Sequence, residues 1–135
     1  MYLKWSPIYS VNVAKLDEQH KTIFGLINDL FELKDHLSKK EELAIIHKLI
    51  DYANEHLKTE ETYFKELNYP NTISHTKQHD NYRKQVKAFE TKIEKSDELE
   101  KDHDELIDFL KHWWLNHIQK IDQEYVDFFN EHGIH

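Results

Sequence analysis

Seven side chains in this chain could hold metal ions: His20, His56, Glu60, His75, His79, His117 and Asp122. His56 and Glu60 are four residues apart, as are His75 and His79. On a helix, residues i and i+4 project from one face, one turn apart. Each pair can therefore offer two donor atoms to one point. Between the pairs, Asn68-Tyr69-Pro70-Asn71-Thr72 reads as a turn, because proline and the two asparagines do not comfortably continue a helix. Helices joined by a short turn pack antiparallel. That brings both pairs beside the same turn. His117 and Asp122 are five residues apart, which leaves them off a common helical face. Either a local π-bulge brings them into line, or the two side chains serve opposite sides of one site.

The elements that must carry these residues follow from hydrophobic spacing. A first helix, about 17–37 with Asp17 as N-cap, carries a seam of Leu16, His20, Ile23, Ile27, Leu30, Leu33 and Leu37. Ser38-Lys39-Lys40-Glu41 matches a capping box and opens a second helix, about 40–67. Its seam is Ile46, Leu49, Ala53, His56, Glu60, Phe64 and Leu67. A third helix, about 73–94 with Thr72 or Ser74 as cap, aligns His75, His79, Tyr82, Val86, Phe89 and Ile93. A fourth, about 99–130, aligns Leu106, Leu110, Trp113, His117, Ile121, Tyr125 and Phe128. Residues 1–15 read as an arm, with Trp5, Ile8, Tyr9, Val11 and Val13 to pack it along the helices; the tail from Asn130 is expected to fray. The fold class is all-α: one domain, 1–135, built as an up-down-up-down four-helix bundle. In that topology the alternating helix directions put all seven polar seam residues at roughly one level.

Composition excludes several alternatives. A net charge of -8 argues against nucleic acid or an anionic membrane as partner. There are no cysteines, hence no thiolate ligand and no disulfide. The first residues contain no apolar signal segment and no run is long enough to span a membrane, so a cytoplasmic location is the expectation. Of the 11 histidines, His36, His47, His103, His112, His132 and His135 are read as surface or supporting residues, and the charged stretch 94–105 as a solvated face. Trp113 and Tyr125 either wall the site or simply pack the core.

One buried histidine usually finds a local partner. Seven polar groups at one level need more. Burying carboxylates costs several kcal/mol unless a cation offsets it, and no Lys or Arg occupies a seam position near Glu60 or Asp122. Imidazoles and carboxylates without thiolate suit iron, manganese or zinc. Seven ligands are too many for one ion. Two six-coordinate ions offer about 12 positions. Two bridging carboxylates, five histidines and one bridging oxygen leave one of these open for a small molecule.

The pattern resembles the hemerythrin family in its single-domain bacterial form. Asp17-Glu18-Gln19-His20, His56-x-x-x-Glu60, His75-x-x-x-His79 and His117-Ile118-x-x-x-Asp122 match its motifs in order and spacing, over nearly the whole chain. The resemblance implies reversible dioxygen binding at two non-haem irons (Fe2+/Fe3+) joined by an oxo or hydroxo bridge. It assigns His75, His79 and His117 to one iron and His20 and His56 to the other, with Glu60 and Asp122 bridging. Where the family usually has a leucine lining the oxygen pocket, this chain has Trp114. The alternative function is a di-iron oxidase, peroxidase or nitric oxide reductase. Oxygen-activating bundle enzymes use four Glu and two Glu-x-x-His motifs. The histidine-rich set here favours binding over turnover.

Overall fold

The computed structural model describes residues 2–135. Four helices form a ring: α1 (Ala14–Glu32), α2 (Lys39–Leu67), α3 (Thr72–Glu94) and α4 (Leu99–Asn116). α1 and α3 each pack against both α2 and α4, the neighbour relations of an up-down-up-down bundle. The core along the axis includes Ile23, Ile27, Leu30, Leu49, Phe64, Leu106 and Leu110, all buried.

Element ends follow from local chemistry. The Ser38 side chain accepts from the Glu41 N–H and caps α2. α2 stops where Asn68 turns left-handed, φ 55°, and the Tyr69 N–H reaches back to the Phe64 carbonyl. At α3 the expected side-chain cap is not used: Asn71 is the N-cap residue, and the Thr72 hydroxyl donates to the Tyr69 carbonyl inside the turn. α1 begins three residues before the expected start. Asp17 is not its N-cap but lies in its first turn, where its carboxylate accepts from the Ser10 hydroxyl and the Val11 N–H at 2.6 and 2.8 Å. That residue therefore ties the arm down. Asn28 does the same further along, exchanging two hydrogen bonds with the Leu3 backbone. Leu3, Val11 and Val13 are buried, whereas Ile8 points outward, 68% exposed.

The fourth helix is not continuous. α4 gives way to a π-helical turn (His117–Ile121), then a 3-10 turn (Asp122–Tyr125), then α5 (Val126–Glu131). The buried positions accordingly run through Trp114, His117, Ile118, Asp122, Tyr125 and Phe129, displacing Trp113, Ile121 and Phe128 from the predicted seam to its edges. The tail ends in a closed turn. Gly133, φ 84°, lets the Ile134 N–H bond the Phe129 carbonyl and its own N–H bond that of Asn130, a Schellman closure. None of the described helices is long and apolar enough to cross a membrane.

Candidate metal centre

All seven predicted residues meet inside the ring, each at most 2% exposed. Their donor atoms form two groups that share two members. Glu60, His75, His79, His117 and Asp122 converge on one point; His20, His56, Glu60 and Asp122 converge on another. α1 supplies His20, α2 His56 and Glu60, α3 His75 and His79, and the π turn His117 with Asp122 at its end. In that turn the Asp122 N–H bonds the His117 carbonyl, five residues back. The wider turn swings Asp122 onto the face of His117, so the π-bulge is the geometry adopted.

Asp122 spans both groups. Its Oδ1 lies 2.9 Å from His117 Nε2 and 3.0 Å from His75 Nε2, and its Oδ2 lies 3.4 Å from His20 Nε2. Glu60 Oε1 lies between His79 Nε2 at 3.2 Å and His56 Nε2 at 3.6 Å. Its Oε2 accepts from the Tyr125 hydroxyl at 2.5 Å.

The imidazole Nε2 atoms crowd one another. His20 and His56 Nε2 are 2.9 Å apart, and His117 Nε2 is 3.2 Å from both His75 and His79 Nε2. His56 Nδ1 faces the Gln19 amide oxygen and His79 Nδ1 a Glu61 carboxylate oxygen, each at 2.7 Å. Both Nδ1 atoms are thus donors, which leaves each neutral ring with an Nε2 lone pair aimed at another nitrogen. Glu60 Oε1 and both Asp122 oxygens, fully buried, have no hydrogen-bond partner among the described residues. A cation resolves all of this together. Ligand atoms ~2.1 Å from one ion and at right angles to each other are about 3.0 Å apart, close to the observed spacings. The donor set, nitrogen and carboxylate oxygen only, fits iron, manganese or zinc.

Electrostatics prepare the rings unequally. Burial pushes the His56 imidazole down to about 3, against the pull of Glu60 and Asp122. Burial acts the same way on His79, but the close Glu60 and Glu61 carboxylates outweigh it and raise it to about 9. Asp122 is held well below the usual carboxylate range, because His117, His20 and His75 overcome its burial. Tyr125 is pushed well above its ordinary value by burial and both carboxylates, so it remains a donor. At pH 7 His56 is therefore ready to bind a metal, and His79 must first lose a proton. Ferrous binding should release about one proton from His79 and none from His56, since affinity that displaces a proton rises with pH until the group's pKa is passed. From this pair the affinity should climb roughly tenfold per pH unit up to about pH 9. Anaerobic calorimetry in buffers of different ionisation heat measures the released proton; a pH-independent affinity would contradict this.

The wall is aromatic. Trp113 stacks on His117, centroids 4.4 Å apart and planes within 12°. Phe64 lies against His75 at 4.7 Å. Trp114, fully buried, stands 5.8 Å from the His56 ring and 6.3 Å from His20, with its indole N–H donated to the Tyr82 hydroxyl at 3.1 Å.

Three supporting residues escaped the spacing argument: Gln19, Glu61 and Tyr125 in its hydrogen-bonding role. Two of them directly adjoin seam residues, His20 and Glu60, and that adjacency was the available signal. His103 is a correction. It is neither at the surface nor beside the site but buried far along the bundle, where its Nδ1 bonds the buried Glu42 carboxylate at 2.8 and 2.9 Å. Asp102 is buried too, so 94–105 is not a uniformly solvated face. Extending the seams of α2 and α4 back one turn, four residues from Ile46 and three from Leu106, would have found Glu42 and His103.

Comparison with known proteins agrees with this architecture. Residues 11–129 match the model of the hemerythrin HHE cation binding domain. A bacteriohemerythrin of Clostridium acetobutylicum is 30% identical over 131 residues, covering 91% of this chain and 98% of that protein. A hemerythrin-like protein of Naegleria gruberi is 29% identical over 90% of this chain and 88% of its own length. The crystal structure of a wild-type hemerythrin superposes with a TM-score of 0.83 at 27% identity, covering 93% of this chain and 95% of that one. With matching motifs, fold and buried cluster, the chain belongs to the hemerythrin family.

Proposed function

We propose that this protein binds dioxygen reversibly at a pair of non-haem irons held by His20, His56, Glu60, His75, His79, His117 and Asp122. The observation that carries this reading is the double convergence: two groups of donor atoms, sharing Glu60 and Asp122, sealed from solvent. When bound, an iron pair supplies oxygen with a coordination position and two electrons.

The chain's own residues do the rest. His75, His79 and His117 would hold one ion, and His20 and His56 the other, which leaves the second less crowded. Glu60 and Asp122 offset charge for both. Tyr125 keeps its proton and steadies Glu60. Trp114 stands over the His20 and His56 rings, and its only N–H is engaged by Tyr82. Phe64, fully buried against the His75 and His79 rings, adds a dry wall on the other side. Such a wall excludes water and withholds the protons that reduction of oxygen to peroxide or water consumes. Histidine-rich ligation also contrasts with the carboxylate-rich sites of oxygen-activating bundle enzymes. Both features favour release of oxygen unchanged.

The test is spectroscopic. Ferrous-loaded protein should gain a visible absorption in air and lose it under argon, over repeated cycles. One-way oxidation, with hydrogen peroxide or an oxidised substrate accumulating, would instead establish the enzyme reading.

A further inference from the structure

Among the five imidazoles, two are anchored at Nδ1 and three are not: the Nδ1 atoms of His20, His75 and His117 have no hydrogen-bond partner among the described residues. The two anchors differ in charge. Gln19, behind His56, is a neutral amide that also reaches the Thr59 hydroxyl at 3.3 Å. Glu61, behind His79, is a carboxylate, and it is clamped. Arg83 Nη2 lies 3.0 Å from its Oε2 and 3.2 Å from its Oε1. Arg83 is itself fixed by Asn54 at 2.8 Å and Asp80 at 3.0 Å. An ion pair this accessible contributes little stability, so the clamp's effect is to orient Glu61.

An acceptor behind a ligating imidazole fixes its tautomer and ring angle; a carboxylate also raises the basicity of the ligating nitrogen. Such partners typically change metal affinity ~10–100-fold. His79 receives both effects and His56 only the first.

We propose that Glu61 is a positioning residue that makes the two metal positions unequal, so that ions enter in order: first among His75, His79 and His117, then beside His20 and His56. The proposal rests on the reading that the seven residues hold two ions. The third imidazole favours the same order, and the Glu61 charge widens the gap.

The test is an anaerobic titration of the metal-free full chain with Fe2+, followed by calorimetry and by proton NMR of the paramagnetically shifted imidazole N–H signals. Wild type should show two separated steps. At one equivalent the shifted N–H signals should be those of His75, His79 and His117. Glu61→Gln keeps an acceptor for His79 but removes the charge, and should weaken the first step about tenfold, once the proton that His79 gives up on binding is subtracted, while leaving the second in place. Glu61→Ala should approach a hundredfold loss, ~100 being the upper end for such partners. Gln19→Glu puts a charge behind His56 and should strengthen the second step, narrowing the gap. A merely structural role for Glu61 does not predict that opposite shift, and this variant also tests the idea if Glu61→Gln folds poorly. Two indistinguishable steps in wild type, a first ion spread over both positions, or an unchanged isotherm in Glu61→Gln would overturn the inference. Uptake of fewer than two ions by wild type would instead overturn the two-ion reading beneath it.

Discussion

Glu60→Gln and Glu60→Ala should yield folded protein that no longer retains iron, while His36→Ala should retain about two irons per chain, the number that the ligand count requires. Glu60 belongs to both groups of converging donors, so its loss subtracts from both positions at once. Removing a direct ligand should cost more than the ~100-fold upper end for supporting residues. The two variants separate metal binding from folding. In Glu60→Gln the new side-chain amide still offers an oxygen to the Tyr125 hydroxyl and relieves the mutual repulsion of two buried carboxylates. It also removes the anion that keeps His79 protonated, and the cluster holds the Glu60 carboxyl below its usual range, so metal-free Glu60→Gln should melt at or slightly below metal-free wild type. Glu60→Ala leaves the Tyr125 hydroxyl buried and unpartnered, at a cost of about 1–3 kcal/mol. His36 is exposed at the end of the first helical segment, after the 3-10 turn (Leu33–Asp35), and takes no part in the cluster. Iron analysis and thermal melts decide the matter, and equal iron in the glutamate and His36 variants would remove Glu60 from the site.

Chelation should lower the stability of wild type by at least about 4 kcal/mol, the linkage expected when free metal exceeds its dissociation constant a thousandfold. For a domain of this size that amounts to roughly 10 °C or more in Tm. The cause is visible in the core. Without a cation, Glu60 and Asp122 lie buried together, and the Nε2 atoms crowd in two groups, 2.9 Å between His20 and His56 and 3.2 Å from His117 to His75 and to His79. Scanning calorimetry before chelation, after it, and after reloading with iron reads the effect. The Glu60→Gln melt should not respond to chelator. An unchanged Tm on metal removal from wild type would mean that the cluster satisfies itself by protonation alone.

Spacing made the cluster legible because helix geometry is local. Residues four apart share a face wherever the helix sits, so His56 with Glu60 and His75 with His79 could be paired before any tertiary contact was known. The short turn around Pro70 then brought the pairs together, and alternating helix direction carried His20 and His117 to the same level. The separation of His117 and Asp122 was different. Five residues fit neither face of a regular helix, and two geometries were open. The bundle selected the π turn because Asp122 then faces His20, His75 and His117 together.

The amino-acid sequence by itself determined the helical bundle and the seven residues that converge in it, since both rest on periodicity and residue type, and its four motifs carried the resemblance to the family. The tertiary structure decided what stands behind the donors: Glu61 on His79, Gln19 on His56, Tyr125 on Glu60, and Trp114 rather than Trp113 fully buried against the site. It also decided that Glu42 and His103 meet inside the bundle, 61 residues apart in the chain. These are contacts between helix faces whose rotation about their axes no local pattern specifies. That rotation is set by how whole side chains interlock across the core, and only the packed bundle contains it.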